Sequence, residues 1–211
     1  RTKHPDLETL RRYRFAHRGY HDKPVVPENS LPAFRRAIEH GWGAELDVHL
    51  MKDGTLAVIH DSSLLRTAGA DVQIEDLTRE ELENYRLEGT DERIPLLDEV
   101  LALFENTTPL IIELKAANGN HFALSKAVCE RLDSYKGVFC IESFDPMVVA
   151  DVRELRPGIC RGQLAENFLK GKGALDPVRS VLATGLIGNA LAKPDFIAFK
   201  FEDRSCISNA L

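Results

Sequence analysis

The sequence lacks the cysteine patterns that bind metals or exchange disulfides, although it contains four cysteines. Cys129, Cys140, Cys160 and Cys206 are widely spaced, with no C-x-x-C pair among them. Zinc-finger and thiol-redox functions therefore have no support in the sequence. Thiols in this arrangement are typical of buried, reduced cysteines, so we expect a cytoplasmic protein.

Long hydrophobic runs and an excess of positive charge are absent as well. No apolar stretch approaches the roughly 18 residues that cross a bilayer, which argues against a transmembrane segment. The 27 Lys and Arg side chains are outnumbered by 33 Asp and Glu, giving a net charge of −6. Because binding to phosphate backbones needs a basic face, this composition argues against nucleic acid as a partner.

The chain is instead an ordinary globular sequence in which short apolar runs alternate with helical patterns. Its 211 residues, 44% of them hydrophobic, can bury a large core without disulfides or structural metals. Strands that alternate with helices indicate βα units, a parallel sheet and one domain over residues 1–211. The seven predicted strands are 15–17, 44–48, 56–60, 110–114, 138–141, 159–164 and 196–199.

Three helix starts have recognisable caps. Asn29 or Ser30 can cap a helix that carries Pro32 in its first turn. Thr78 and Glu81 form a capping-box pattern that opens a short helix reaching residue 85. The pair 145–146, Asp-Pro, begins a helix that the Pro-Gly pair at 157–158 ends.

The connection between the second and third strands is too short for a helix. Only residues 49–55 separate them, with turn chemistry at Asp53-Gly54. The two strands either pair as a hairpin or are joined by an extended return segment. We expect the return segment, because it would bring the polar ends of both strands to the same rim.

Ionisable residues interrupt the first four strands near their ends. Side chains two residues apart on a strand share a face, so Glu45 and Asp47 point the same way, as do Glu113 and Lys115. The intervening apolar residues point toward covering helices, which predicts a charged inner rim. The residues concerned are His17, Arg18, Glu45, Asp47, His60, Asp61, Glu113 and Lys115.

At one rim, the three carboxylates Glu45, Asp47 and Glu113 would repel one another unless a cation lay between them. Oxygen ligands of this kind suit Mg²⁺ or Ca²⁺ rather than zinc. The two histidines, His17 and His60, titrate near neutral pH, so one can accept a proton while the other donates one.

Arg18 and Lys115 add two cations for which the sequence offers no assignable acidic partner. Together with a metal they suit an anionic tetrahedral substrate such as a phosphate ester. Structural alternatives remain open: a single histidine at a strand end is most often structural, and Glu45 and Asp47 could form salt bridges with either cation. The concentration of such residues at four successive strands favours a site.

Two further carboxylates have simpler interpretations. Asp53 belongs to the turn, and Asp61 orients a neighbouring side chain or caps a loop.

In these residues the sequence resembles the glycerophosphodiester phosphodiesterase family. Each matching segment alone is weak, but together, in order over roughly the first 145 residues, they are highly specific. The segments are His17-Arg18-Gly19, Pro27-Glu28-Asn29-Ser30, Glu45-Leu46-Asp47, Lys52-Asp53-Gly54-Thr55-Leu56, His60-Asp61, Arg66-Thr67, Asp76-Leu77-Thr78, Ile94-Pro95, Glu113-Leu114-Lys115 and Ser143-Phe144-Asp145.

The resemblance implies a TIM-type (β/α)8 barrel that hydrolyses glycerophosphodiesters, its small-molecule substrates, to sn-glycerol 3-phosphate and an alcohol. It implies that His17 and His60 are the acid/base pair and that Arg18 and Lys115 contact the phosphate. It also implies that one divalent cation, Mg²⁺ or Ca²⁺, is held by the remaining three positions, Glu45, Asp47 and Glu113.

Two features of the expected barrel differ in detail from an ordinary one. The stretch of about 62–93 resembles a small family insertion that follows the third strand and helps to cover the glycerol end. Only seven strands are predicted, so we expect the last βα unit to be lacking. The alternatives are a phospholipase like sphingomyelinase D, which shares two histidines and clustered carboxylates, and a non-catalytic barrel that binds phosphoesters.

Overall fold

The computed structural model describes residues 4–165 and 192–199. The prediction for Cys206 lies outside the described residues, whereas Cys129, Cys140 and Cys160 are buried free thiols. In the part of the chain that the structure describes, no helix combines the length and apolarity needed to cross a bilayer.

Seven strands and seven α-helices make up the described fold. The strands are β1 (Phe15–Ala16), β2 (Gly43–Leu50), β3 (Leu56–Val58), β4 (Leu110–Leu114), β5 (Phe139–Ser143), β6 (Arg161–Ala165) and β7 (Phe196–Phe199). The helices are α1 (Pro5–Leu10), α2 (Leu31–Glu39), α3 (Leu65–Ala68), α4 (Arg79–Leu82), α5 (Leu97–Phe104), α6 (His121–Leu132) and α7 (Pro146–Leu155), with a 3₁₀ turn at Ile74–Asp76.

Six of these strands form a curled parallel sheet in the order β1-β2-β4-β5-β6-β7. Within residues 4–165 and 192–199 this is the arrangement of part of a TIM-type barrel, the fold that the resemblance implies. Because the strands are parallel, their carboxyl ends meet at one rim, which is where such barrels carry their sites. The six strands do not close into a full barrel within the described ranges.

The third predicted strand is not part of this parallel sheet, so the expected return segment is wrong. β3 pairs antiparallel with β2, with Val48 opposite Val58. The hairpin forms because the Asp53-Gly54 turn is tight: Asp53 Oδ1 accepts from the backbone N–H of Thr55 at 3.0 Å. This confirms that Asp53 serves the turn.

The hairpin nevertheless brings His60 to the rim. β2 continues to Leu50, past the point where Val48 pairs with β4, so the strand that turns back approaches the rim from outside. The backbone N–H of Ile59 then donates to the carbonyl of Asp47 at 3.0 Å. His60 therefore follows directly beside the carboxyl end of β2.

The main hydrophobic core lies between the sheet and its helices. The outward-facing residues Leu46 and Ile112 pack with Phe34 of α2 and Phe104 of α5, and all four are fully buried. This agrees with the prediction that the outer face of the sheet is apolar and its inner rim is charged.

Two smaller clusters complete the packing. At the amino end of the sheet, Leu7 and Leu10 of α1 pack against Cys140 and Cys160. The expected insertion has its own cluster, which includes Leu64, Ile74 and Leu82 of that segment.

The helix caps follow the sequence closely. Ser30 caps α2 by accepting from the backbone N–H of Ala33 at 3.3 Å, which resolves the choice between Asn29 and Ser30. The Thr78/Glu81 capping box is confirmed, although α4 ends at Leu82 rather than at residue 85.

Candidate active site at the carboxyl end of the sheet

Three buried carboxylates meet on the inner face of the sheet. Asp47 of β2 lies opposite Glu113 of β4 in the parallel register, and Glu45 precedes Asp47 on the same face. One oxygen from each of the three lies within 4.8 Å of the others. Glu45 Oε1 is buried without a hydrogen-bond partner in the structure. Closely spaced oxygens with unused acceptor capacity fit a hard divalent cation such as Mg²⁺ or Ca²⁺.

The pKa values of these carboxyl groups are shifted by burial and by the neighbouring charges. Burial, reinforced by the charge of Asp47, raises the pKa of Glu45. Burial also raises the pKa of Glu113 to about 7, although Lys115 acts in the opposite direction. Burial opposes ionisation of Asp47 too, but Lys115 and a hydrogen bond from Asn29 hold its pKa below the ordinary value.

Both predicted phosphate-binding cations have acidic partners, which the sequence alone did not assign. Lys115 Nζ lies 3.0 Å from Asp47 Oδ1 and 2.6 Å from Glu113 Oε1. Arg18 Nη1 lies 3.0 Å from Glu28 Oε1, and its Nε lies 3.6 Å from Asp47 Oδ2. The partners were not assignable because they come from the carboxylate cluster itself and from a loop. The salt-bridge alternative and a metal site thus involve the same residues.

The backbone at Arg18 has an unusual conformation that serves the cluster. Its φ of 55° lies in the left-handed region, which non-glycine residues rarely adopt. In this conformation its N–H donates to Glu45 Oε2 at 2.9 Å. The following Gly19 packs so closely on α2 that a Cβ there would lie 2.8 Å from the Cβ of Ala33.

His60 is oriented by its neighbour. Its Nδ1 lies 2.6 Å from Asp61 Oδ1, and Arg66 Nε donates to the other oxygen of Asp61 at 2.5 Å. Since the carboxylate accepts from Nδ1–H, Nε2 is the nitrogen left with a lone pair. Burial lowers the pKa of His60, against the opposing charge of Asp47, so its neutral form is favoured. The prediction that Asp61 orients a neighbour is confirmed.

His17 is the second histidine close to the carboxylate cluster. Its Nε2 lies 3.9 Å from Glu45 Oε2, and its side chain is 69% exposed. Partial burial and the charge of Arg18 lower the pKa of His17. The structure thus brings together all seven predicted residues, His17, Arg18, Glu45, Asp47, His60, Glu113 and Lys115; their catalytic roles stay predictions.

Two loop residues of the site were treated in the sequence only as part of a helix start. Asn29 Nδ2 donates to Asp47 Oδ2 at 2.8 Å. Glu28 is 4% exposed and accepts from Arg18, from Arg66 Nη2 at 2.6 Å and from Lys23. These hydrogen bonds outweigh burial and hold the pKa of Glu28 well below its usual range. The sequence signal that could have identified them is a charged residue, Glu28, and an amide, Asn29, directly before the capping Ser30.

A buried histidine connects the inserted segment to the site. His49 Nδ1 lies 2.6 Å from Glu75 Oε1, and its Nε2 lies 3.1 Å from the carbonyl oxygen of His60. Glu75 also accepts from the hydroxyl of Ser62 at 3.0 Å. The insertion is thereby held against the backbone of the proposed acid/base residue.

Glu142 is a further buried acid at the site that was not predicted from the sequence. It lies on β5 opposite Glu113 in the register and is 8% exposed. Burial and the charges of Glu113 and Asp47 raise its pKa to about 8. The predicted strand ended at Ile141, one residue short, so its position on the inner face beside Cys140 was not recognised.

These groups border a cavity of about 240 Å³ that opens at the rim. His60 and Lys115 line it together with Phe144 and Asp145, which follow β5. The cavity therefore lies between the proposed acid/base residue and the carboxylate cluster, where a phosphate ester could be bound.

Comparison with known proteins places this geometry in a family. The sequence profile of the Glycerophosphoryl diester phosphodiesterase family matches residues 17–186. A glycerophosphodiester phosphodiesterase from Caldanaerobacter subterraneus subsp. tengcongensis is 37% identical over 161 residues, which is 71% of this chain. The chain spans 65% of the length of that relative.

Solved structures share the fold. A glycerophosphodiester phosphodiesterase from Thermotoga maritima has a TM-score of 0.64 and 31% identity, with 90% of this chain and 74% of that chain covered. An Oleispira antarctica phosphodiesterase in complex with the product sn-glycerol-3-phosphate has a TM-score of 0.65 and 23% identity, with 92% and 95% covered. With a family match over most of its length, this chain belongs to the glycerophosphoryl diester phosphodiesterase family.

Proposed function

We propose that this protein hydrolyses glycerophosphodiesters to sn-glycerol 3-phosphate and an alcohol, with one divalent cation, Mg²⁺ or Ca²⁺. The observation that carries the proposal is the meeting of three buried carboxylates within 4.8 Å, at the rim that also holds two histidines. Family membership and the product bound to the Oleispira relative support the same reaction. The substrate is a small molecule, and the cytoplasmic location stays a prediction.

Glu45, Asp47 and Glu113 would hold the cation. When bound, the cation supplies Lewis-acid polarisation of a non-bridging phosphoryl oxygen. Arg18 and Lys115 bind the remaining phosphoryl oxygens and orient the diester, because both cations border the same carboxylates.

The two histidines handle the protons. Both have lowered pKa values, so each is available in its neutral form near pH 7. The neutral histidine accepts the proton of the attacking hydroxyl group. The other must be protonated to donate to the departing alkoxide, and the neighbouring carboxylates favour that form: Asp47 acts on both rings and Asp61 on His60. The attacking group is either water or the 2-hydroxyl of the glycerol, and detection of a cyclic phosphate product distinguishes the two.

The test is a panel of glycerophosphodiesters incubated with the protein and Mg²⁺, Ca²⁺ or EDTA, with release of glycerol 3-phosphate as the readout. We expect turnover with at least one cation and none with EDTA. Binding of the diesters without catalytic release would instead support the non-catalytic barrel.

A second candidate substrate is a lysophospholipid, as expected for a phospholipase. Phe144 and Met147 follow β5 at the rim and are 41% and 40% exposed, which suits a substrate with an apolar substituent. Assaying a lysophospholipid beside glycerophosphocholine decides between the two: a much higher kcat/KM for the lipid would favour this candidate.

A further inference from the structure

Glu28 is a buried carboxylate on which three cations converge. It lies in the loop between β1 and α2 and is only 4% exposed. Its Oε1 accepts from Arg18 Nη1 at 3.0 Å and from Arg66 Nη2 at 2.6 Å, and its Oε2 accepts from Lys23. These cations come from the end of β1, from the loop and from α3, so one carboxylate joins three segments of the chain.

The backbone of the loop holds Glu28 close to Arg18. The N–H of Asn29 donates to the carbonyl oxygen of Arg18 at 2.9 Å, which closes the loop directly on the arginine. Both residues have left-handed backbones, with φ of 55° at Arg18 and 53° at Asn29. Non-glycine residues rarely adopt this conformation, so the closure is a specific feature of the loop. The main chain therefore fixes where the carboxylate meets the guanidinium.

The contact with Glu28 occupies only one end of the Arg18 guanidinium. Glu28 accepts from Nη1, whereas Nε lies 3.6 Å from Asp47 Oδ2, beyond hydrogen-bond distance. Nε is buried and has no hydrogen-bond partner within residues 4–165 and 192–199. An unused N–H donor on a buried guanidinium, next to the carboxylate cluster, is suited to a phosphoryl oxygen.

The charges of this network balance without a bound phosphate. Lys23 also contacts Glu88 Oε1 at 2.8 Å, and Arg66 also contacts Asp61. With Glu28, three acids thus face three cations. If the network served only to fasten the loop to the inserted segment, removing Glu28 would change the stability of the fold and leave the affinity for phosphate unaffected.

We propose that Glu28 is a positioning residue that holds Arg18 Nη1, so that the remaining N–H groups of the guanidinium face the phosphoryl group and do not turn onto Asp47. Asp47 is the competing acceptor, because its Oδ2 is already the closer carboxylate oxygen to Nε. This inference rests on the part of the proposed function that assigns Arg18 to the phosphate.

The test is the affinity for glycerol 3-phosphate, measured by calorimetry once with saturating Mg²⁺ and once with saturating Ca²⁺. We expect Glu28→Gln to bind it at least about 10-fold more weakly than the wild type, the scale of one charge-assisted contact. Loss of a negative charge would by itself strengthen the binding of an anion, so the two effects have opposite signs. Unchanged or tighter binding in Glu28→Gln would overturn the proposal.

The matched control is Asp22→Asn, which removes an exposed acid from the same loop. Because Asp22 does not contact Arg18, this variant should bind glycerol 3-phosphate as the wild type does. An equal loss of affinity in both variants would show a general effect of the loop and would count against Glu28.

A double-mutant cycle shows whether the effect of Glu28 passes through Arg18. Introduced into Arg18→Ala, Glu28→Gln should change the affinity for glycerol 3-phosphate by less than about 3-fold, because the positioned group is already absent. A further loss of about 10-fold in that background would leave Glu28 with a structural role only.

A measurement on the wild type covers the case in which Glu28→Gln fails to fold. If Glu28 holds Nη1, rotation of the Arg18 guanidinium is hindered, and nitrogen NMR should resolve separate Nη resonances that are absent from Arg18→Ala. Inorganic phosphate should shift the Nε–H resonance of the same side chain. A freely rotating guanidinium, or a resonance that phosphate does not shift, would contradict the proposal.

The outcomes separate the positioning role from the reaction. Weaker binding in Glu28→Gln, with no turnover of diesters by the wild type, leaves the role of Glu28 standing and removes the proposed function. Turnover by the wild type with unchanged binding in the variant does the reverse. A wild type that neither binds glycerol 3-phosphate nor turns over diesters removes both.

Discussion

His60 depends on adjacent side chains for the tautomer that it presents to the site. Asp61 accepts from Nδ1 and is itself held by Arg66, so Nε2 carries the lone pair. His17 has only a 3.9 Å approach to Glu45 and is largely exposed, so its ring is less constrained. The ring of His60 is therefore held more firmly than the ring of His17, although both are assigned to the same proposed reaction.

Replacing either histidine with alanine should lower kcat by 10²–10⁴-fold, the usual contribution of a general acid or base. Initial rates on glycerophosphodiesters measure the loss, and an unchanged thermal midpoint shows that the fold survives. Wild-type turnover in His17→Ala or His60→Ala would remove that residue from the mechanism.

Glu45→Gln should weaken binding of the divalent cation by at least about 10-fold, because a charged ligand becomes neutral. A chelator titration or calorimetry measures this affinity. Glu39→Gln, on the surface of α2, is the matched control. The same affinity in both variants would count against Glu45 as a ligand.

At the scale of elements, the inserted segment is joined to the site by two sets of contacts. In the first set, Arg66 of α3 donates to Asp61 and to Glu28. In the second set, Glu75 contacts one ring nitrogen of His49, and the other ring nitrogen contacts the carbonyl oxygen of His60. The segment therefore supports the acid/base residue in addition to carrying its own hydrophobic cluster.

Arg66→Gln should lower kcat/KM by on the order of 10-fold, the equivalent of one charge-assisted contact. It should also move the limb of the pH profile that reports His60 to higher pH. Without Arg66, the negative charge of Asp61 acts more fully on His60 and stabilises the imidazolium.

The control for this prediction is Arg93→Gln, which removes an exposed arginine of the same segment that pairs with Glu83 and Glu99. Its pH profile should match that of the wild type. If both variants shift the profile alike, Arg66 has no specific effect on His60.

At the scale of the whole molecule, the curled sheet concentrates four buried acids at one rim. The pKa values of about 7 for Glu113 and about 8 for Glu142 lie above those of an unfolded chain. Between these values and about 4.5 the folded state binds more protons than the unfolded state, so its stability falls as pH rises. The lowered pKa values of His17 and His60 act in the other direction, but only up to about pH 6.5.

The metal-free protein should therefore unfold at a lower temperature at pH 8 than at pH 6.5. A loss of about 1 kcal/mol corresponds to about 2–4 °C for a domain of this size. Calcium or magnesium should raise the midpoint more at pH 8, where the carboxylates are ionised. Calorimetry of the chelated and loaded protein provides the comparison; a midpoint that does not change with pH would contradict it.

Much of the site could be predicted from local patterns. The alternation of Glu45 with Asp47 and of Glu113 with Lys115 determines which side chains share a face, because side chains on a strand alternate with a period of two. The parallel order of most strands then followed from the intervening helices. Ser30 and the Thr78 capping box were predictable for the same reason: each cap acts within four residues of the chain.

The amino-acid sequence by itself thus determined the inner rim, the seven charged or imidazole side chains proposed for the site and the family to which the chain belongs. Only the tertiary structure decided that β3 turns back as a hairpin, that Glu28 holds Arg18 and Arg66 together, and that Glu142 lies beside Glu113. The physical reason is that these contacts join separate elements of the chain, from 10 residues apart for Arg18 and Glu28 to 38 for Glu28 and Arg66. Periodicity reports which face a residue occupies, but strand pairing and packing decide which residue it meets there.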